Sequence, residues 1–160
     1  MFKFNKLVFG DLGWGDELFF ATLMTITVSI LSMGLGLCLA IITVWAKLIT
    51  NRITRLIANF YTTVVRGVPE LLVIYLIFFG GNSVVMGVAK LFGYNGYIEL
   101  NALTIGTIAI AFISATYSSE VIRAAYLAVN KGQVEAAKAL GLSKIQIFLR
   151  VMGPQIIRHA

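Results

Sequence analysis

The end of the chain carries its most informative stretch, GQVEAAKALGLSKIQIFLRVMGPQIIRHA, at residues 132–160. Asn130, just before it, is a residue type that caps helix N-termini, and Gly141 is the type that ends helices in a left-handed turn. Ser143 and Gln146 have the spacing of a capping box, which marks the start of another helix. The stretch therefore predicts two short helices joined by a glycine bend.

The first of these helices is predicted at about residues 133–140, and the second is amphipathic. Apolar residues recur at helical spacing along one face of the second helix, at Ile145, Phe148, Leu149 and Met152. Gly153 and Pro154 are expected to stop it, because proline lacks a backbone N–H and its ring clashes with the preceding turn. Composition alone also fits an amphipathic helix that lies on a membrane surface with its basic residues toward lipid headgroups.

The composition of the chain is that of a membrane protein. Hydrophobic residues make up 59% of its 160 residues, charged residues make up 12%, and the mean hydropathy is +0.89. A soluble domain carries about 25% charged residues. The net charge of +6 does not indicate nucleic acid, because the basic residues lie in gaps between apolar runs, where they set membrane topology. With one cysteine, Cys38, the sequence offers no disulfide framework, and it shows no metal-ligand spacing and no catalytic motif.

Three apolar stretches are predicted to cross the membrane, at residues 18–46, 56–81 and 102–128. The second contains Pro69, which predicts a kink or a broken helix, and neither half alone is expected to be long enough to span the bilayer. Residues 81–101 are expected to form an external loop with one interfacial helix. The predicted fold class is an all-α membrane protein, with a single transmembrane domain over residues 1–160.

Lysine and arginine residues orient the predicted spans. The gap after the first span is a candidate cytoplasmic loop with three basic residues and no acidic one, Lys47, Arg52 and Arg55. Basic residues also dominate after the third span. Because basic residues favour the cytoplasmic side, the N-terminus is predicted to be periplasmic and the C-terminal stretch cytoplasmic.

The first span also carries a stripe of small residues, at Ser32, Gly36 and Ala40. Small residues four apart let another helix approach closely. Such a stripe also arises by chance in spans that are rich in glycine and alanine, so both readings stay open at this point.

The C-terminal stretch closely resembles the EAA loop of bacterial ATP-binding cassette (ABC) importer permeases. The family pattern is E-A-A, three residues, a glycine and a later proline, and it is matched here by Glu135-Ala136-Ala137, Gly141 and Pro154. The resemblance implies that a coupling loop, about residues 130–154, docks onto a separate ATPase. It assigns that coupling role to Glu135, Ala136, Ala137 and Gly141, and it favours this role over the membrane-surface alternative.

Two further motifs are similar to those of the polar amino acid permeases, the group of the histidine, arginine, glutamine and opine importers. RGVPELL at residues 66–72 resembles the RG-x-P-x-L element, and YSSEVIR at residues 117–123 resembles the Y-x-x-E-[IV]-[FI]-R segment. The resemblance covers about residues 18–160. It implies the type I ABC importer permease fold, with about three of the usual five transmembrane helices in this chain, which is expected to be a C-terminally truncated piece.

Charged residues inside the predicted spans form a second candidate site. Such residues cost free energy to insert and usually face a cavity or a partner. A substrate path is therefore predicted at Arg66, Gly67, Pro69, Glu70 and Glu120. In this path Glu120 would meet a cationic group of the substrate. The structural alternative is an Arg66–Glu70 pair within one helix, with an interfacial pair between Glu120 and Arg123.

The resemblance implies a permease subunit of an ATP-driven importer for polar, basic or opine-type, amino acids in the bacterial inner membrane. The chain would not be an enzyme and would bind no cofactor, because a cytoplasmic ABC ATPase dimer would hydrolyse the ATP. The other implied partners are a second permease subunit, a periplasmic amino acid-binding protein and the lipid bilayer, with no nucleic acid. The alternatives are a truncated membrane scaffold and an ion channel or secondary transporter.

Overall fold

The computed structural model describes residues 13–94, 96 and 101–159, and these residues are mostly helical. The elements, in chain order, are α1 (Gly15–Leu48), α2 (Arg52–Gly67), α3 (Glu70–Leu91), α4 (Ala102–Ala128), α5 (Lys131–Ala139), α6 (Lys144–Ile147), a π-helical turn (Phe148–Met152) and α7 (Gly153–His159). Helices α1, α3 and α4 are each long and apolar enough to cross a membrane. The described ranges contain no strand, in agreement with the predicted all-α fold class. The N-terminus, predicted to be periplasmic, lies outside the described residues.

Asparagine side chains cap the starts of three helices. The side-chain oxygens of Asn51, Asn101 and Asn130 accept hydrogen bonds from the backbone N–H groups two residues further on, at 3.0, 3.0 and 2.8 Å. These bonds satisfy N–H groups that have no partner inside the helix. The predicted cap at Asn130 is confirmed, and α5 begins two residues earlier than its predicted start.

Helices α1 and α4 run parallel and form the central pair of the molecule. Near the start of α4, the Ser32 hydroxyl of α1 donates to the Thr107 carbonyl oxygen at 3.2 Å. Toward the other end of the pair, Lys47 of α1 forms an ion pair with Glu120 of α4. Parallel helices are expected when the chain crosses the membrane once between them, as α3 would do.

The small-residue stripe of α1 lies along this contact. Ser32, Gly36 and Ala40 are all buried. A Cβ atom at Gly36 would lie 3.2 Å from both the Ala111 carbonyl oxygen and the Ser114 Cβ, so a larger side chain would push the helices apart. The predicted close approach of a second helix along this stripe is confirmed.

The predicted second span, residues 56–81, is wrong in its bounds. The chain breaks between α2 and α3, where Val68 is extended, as expected for a residue before proline, and Pro69 has ψ of 130°. Helix α3 alone is long enough to cross a membrane, contrary to the expectation for the separate halves. Residues 81–91 were predicted as part of an external loop. They continue α3 instead, because no proline interrupts the helix there. The helix ends before Gly93, whose φ of 82° forms a left-handed turn.

The bend after α5 has the predicted geometry. Gly141 has a φ of 75°, its N–H donates to the Lys138 carbonyl oxygen (2.9 Å), and the Leu142 N–H donates to the Ala137 carbonyl oxygen (3.2 Å). These two bonds form a Schellman motif, in which glycine tolerates the positive φ. The capping box of Ser143 and Gln146, which starts α6, is also confirmed.

Gly153 and Pro154 do not stop the last helix, contrary to the prediction. The Gly153 N–H donates to the Phe148 carbonyl oxygen five residues back, which widens the helix into a π-helical turn just before the proline. Such a turn shifts the backbone pairing where proline lacks an N–H and where its ring would meet the carbonyl oxygen four residues earlier. The helix therefore continues as α7 to His159.

The predicted apolar face of this helix is also corrected. Ile147, which lies outside the predicted face, is the buried residue, with 4% of its surface exposed. Ile145, Phe148 and Leu149 of the predicted face are 72%, 51% and 64% exposed. Because α6 lasts only one turn before the π-helical turn begins, a regular 3.6-residue period does not describe which side chains point inward.

Candidate functional site

The break between α2 and α3 brings charged groups around one tyrosine of α4. The guanidinium carbon of Arg66 lies 5.5 Å from the centre of the Tyr117 ring, within the range of a cation–π contact. The Glu70 carboxylate lies close to the Tyr117 side chain. The structural alternative of an Arg66–Glu70 pair within one helix is therefore not what forms, because the break at Pro69 places these residues in different helices.

An open cleft of about 390 Å³ lies beside this cluster, lined by Thr62, Thr63, Arg66, Gly67 and Tyr117. Arg66 and Tyr117 are both exposed, so a guanidinium and an aromatic ring face the cleft. Of the predicted path residues, the structure thus places Arg66 and Gly67 in the wall of the cleft. Pro69 and Glu70 follow directly at the start of α3.

Glu120 lies in a separate ion cluster, one turn beyond Tyr117 on α4. Its Oε1 pairs with the ammonium of Lys47, and its Oε2 lies 3.8 Å from the Arg123 guanidinium. The Glu120–Arg123 pair, which was the structural alternative to a substrate contact of Glu120, is therefore present. The Lys47 ammonium also donates to the Thr62 hydroxyl at 2.6 Å.

Lys47 and Thr62 were not predicted from the sequence as residues of a functional site. Lys47 was predicted in a cytoplasmic loop, but it lies in the last turn of α1 and only 5% of its surface is exposed. Thr62 is 2% exposed. One local feature could have indicated that Lys47 belongs to α1 rather than to a loop. It directly follows an uncharged apolar run that contains no residue expected to end the helix.

The predicted coupling residues lie on α5 and at the bend that follows it. Glu135, Ala136 and Gly141 are exposed, whereas Ala137 is buried, with 4% of its surface exposed. Ala137 therefore packs inside the molecule, and the other three are accessible. The side chains of Gln133 and Gln155 are hydrogen-bonded, which ties α5 to α7.

Large apolar side chains are exposed on both sides of the bend. Leu140 is 80% exposed, Ile145 is 72% exposed and Leu149 is 64% exposed. Exposed apolar groups that lie together mark a surface that binds a partner or a membrane. The tail from α5 to α7 thus combines basic residues with exposed apolar side chains on both sides of the bend.

Residues 33–160 match the family described as "Binding-protein-dependent transport system inner membrane component". The chain belongs to this family. The nopaline transport system permease protein NocQ of Agrobacterium fabrum is 46% identical to this permease chain over 155 residues, which cover 96% of this chain and 66% of that protein. The histidine/lysine/arginine/ornithine transport system permease protein HisQ of Escherichia coli is 36% identical over 148 residues, covering 92% of this chain and 64% of that protein. The permease chain thus spans just under two thirds of the length of these relatives.

A solved structure of an amino acid transporter has a similar fold. The crystal structure of an amino acid ABC transporter with histidines has a TM-score of 0.66 to this permease chain at 31% sequence identity. The match covers 86% of this chain and 58% of that chain. The predicted resemblance to polar amino acid permeases and the type I ABC importer permease fold are therefore confirmed.

Proposed function

We propose that this permease chain is part of a transmembrane subunit of an ATP-driven importer for polar amino acids, of the basic or opine type. The observation that carries the proposal is the family match over residues 33–160, together with relatives whose names specify nopaline and basic amino acids. The subunit itself would hydrolyse nothing. A cytoplasmic ATPase dimer would hydrolyse ATP, a second permease subunit would complete the path, and a periplasmic binding protein would deliver the substrate in the inner membrane.

The coupling loop is proposed to contact the ATPase through the bend after α5. Glu135 and Ala136 lie on the accessible side of α5, and Gly141 sets the direction of the chain into α6. Ala137 supports the loop from inside rather than touching the partner. The exposed Leu140 and Ile145 supply apolar area that a partner surface would cover. Because α6 lasts one turn before the π-helical turn and Ile147 is buried, this region lacks the regular apolar face of a membrane-surface helix, which supports docking on a partner over insertion.

The substrate path is proposed to follow the cleft at the break between α2 and α3. An amino acid carries a carboxylate and an ammonium group, and Arg66 and Glu70 offer the opposite charges beside Tyr117. Arginine suits a carboxylate because its planar guanidinium donates two parallel hydrogen bonds. Gly67 and Pro69 shape the break, and Glu120 adds a fixed negative charge beyond Tyr117.

The proposed orientation has a periplasmic N-terminus and a cytoplasmic tail. It rests on the basic residues between the predicted spans and on the parallel course of α1 and α4. Parallel α1 and α4 support one crossing, by α3, between them. Lys47 and the coupling loop then lie toward the same, cytoplasmic, side.

The coupling role is tested with the full-length permease subunit, co-expressed with its second permease and with the ATPase. Ala136→Trp places a bulky side chain on an exposed helical position, so the subunit should fold while ATPase capture falls by at least about tenfold, a typical hot-spot loss. Leu91→Trp is the matched control, because Leu91 is 86% exposed at the end of α3 and should leave capture unchanged. Equal capture by both variants would contradict the proposed docking surface.

A further inference from the structure

One buried ammonium joins three helices of this permease chain. The side chain of Lys47 is 2% exposed, and its Nζ pairs with Glu120 of α4 and donates to Thr62 of α2 at 2.6 Å. Lys47 itself lies in the last turn of α1. The contact therefore fixes α1, α2 and α4 at one point.

This ammonium depends on both of its partners. A lysine removed from water is destabilising unless its charge is paired and its donors are satisfied. An ammonium has three donors, and two are engaged here. Loss of Glu120 alone would leave an unpaired buried cation, whereas loss of both charges would leave a neutral contact. The pair is thus expected to show strong coupling between its two members.

The remaining contacts between α1 and α4 are of a different kind. Ser32, Gly36 and Ala40 let the helices approach closely, and Ser32 adds a hydrogen bond between neutral groups, to the Thr107 carbonyl oxygen. The Lys47–Glu120 pair adds a charged contact and, through Thr62, fixes the register of α4 against both α1 and α2. Buried ion pairs add little net stability, and fixing a register or a switch is their best-attested use.

The pair lies on the part of α4 that leads into the coupling loop. From Glu120, α4 continues to Ala128, and α5 begins at Lys131. A force on the coupling loop that moves this end of α4 must either carry α1 and α2 along or break the pair.

We propose that Lys47 is a positioning residue for coupling, which holds Glu120 so that movement of the coupling loop is passed through α4 to α1 and α2. This inference rests on the proposed function. It follows that the Glu120 carboxylate is held by the protein itself and is not a free ligand for a cationic substrate group. Arg123, 3.8 Å from Oε2, adds a second internal cation on the more exposed side of Glu120.

The test uses proteoliposomes with the complete importer, comprising the full-length permease subunits, the ATPase and the binding protein, supplied with radiolabelled arginine. Two rates are measured, arginine uptake and ATP hydrolysis, and their ratio gives the coupling. Lys47→Met should lower the ratio by at least about fivefold, the lower end of typical coupling strengths, because ATP is still hydrolysed but α1 and α2 no longer follow. Lys47→Arg should recover most of the ratio, since it keeps the charge.

The double variant Lys47→Met/Glu120→Gln separates positioning from substrate binding. Lys47→Met alone leaves the Glu120 carboxylate without its ammonium partner, whereas the double variant has no charge at either position. The double variant should therefore assemble better than Lys47→Met and should keep the KM for arginine within about twofold of the unaltered importer. If instead Glu120 binds the substrate, Lys47→Met should lower the KM and the double variant should raise it, and that result would overturn the proposal. If the Lys47→Met importer does not assemble, the KM of the double variant alone distinguishes the two roles of Glu120. An unchanged KM supports positioning, and a raised KM supports substrate binding.

Lys90→Met is the matched control, because Lys90 is an exposed lysine in the last turn of α3 and should leave the ratio unchanged. An unchanged ratio in Lys47→Met would also overturn the proposal. Failure of the unaltered importer to take up substrate with ATP would overturn the proposed function on which this inference rests, and the two failures are thus distinct.

Discussion

At the scale of single residues, two glycines are needed for opposite reasons. Gly141 is needed for its backbone, because φ is 75° and a Cβ there would meet nothing within 4 Å. Gly36 is needed for its missing side chain, because a Cβ would press on α4 although its backbone is helical. The need for glycine at position 141 can be predicted from the sequence, because Gly141 lies at a helix end. The need for glycine at position 36 follows only once the position of α4 is known.

Gly141→Ala should destabilise the bend, since an alanine in the left-handed region costs about 1–2 kcal/mol. Gly34→Ala is the control: Gly34 lies in the middle of α1 and an added Cβ would meet nothing within 4 Å, so alanine there should stabilise the helix by about 0.5–1 kcal/mol. Thermal unfolding of the subunit in detergent, followed by circular dichroism, measures both. Equal shifts of the two melting temperatures would contradict the left-handed assignment at Gly141.

At the scale of elements, the packing of α1 on α4 organises the molecule. The stripe of small residues gives a close approach, the Ser32–Thr107 hydrogen bond lies toward the start of α4, and the Lys47–Glu120 pair lies further along. Most of the remaining apolar surface of α1 and α3 is exposed, as expected for helices that face lipid or further helices. The contact face, rather than the average apolar character, therefore decides which helices pair.

Gly36→Leu and Gly34→Leu test this packing with one substitution on two faces of the same helix. Gly36→Leu should destabilise the subunit by about 1–3 kcal/mol, the usual cost of overpacking, because the Ala111 backbone cannot move aside. Gly34→Leu should have little effect, since nothing lies within 4 Å of its Cβ position. The yield of monodisperse subunit after mild heating gives the comparison, and a loss confined to Gly34→Leu would be incompatible with the α1–α4 contact.

At the scale of the whole molecule, the sequence predicts what depends on local chemistry. The caps at Asn130 and Ser143, the bend at Gly141 and the break at Pro69 are all set by residues close along the chain, and all occur in the structure. The type I permease fold was predicted from the family motifs, because no local sequence pattern specifies it. Together they predict the class and most elements.

Features that depend on distant partners were not predicted. Lys47 looks like a loop residue until α4 supplies Glu120, which lies 73 positions away in the sequence. The continuation of the last helix through the π-helical turn to His159 was not predicted. Proline normally ends a helix, and a widened turn is a local exception to that rule. The continuation of α3 to Leu91 was missed because glycines in a membrane helix read as loop residues.

The proposed function is that the full-length subunit containing this chain imports polar amino acids at the expense of ATP. It is tested by the uptake of radiolabelled nopaline, octopine and arginine into proteoliposomes that contain the permease pair, with ATPase and binding protein added. Uptake of at least one of the three should require both ATP and the binding protein, and Ala136→Trp should abolish it. Uptake that continues without ATP and stops when an ionophore dissipates the ion gradients would contradict the account, because it would identify a secondary transporter.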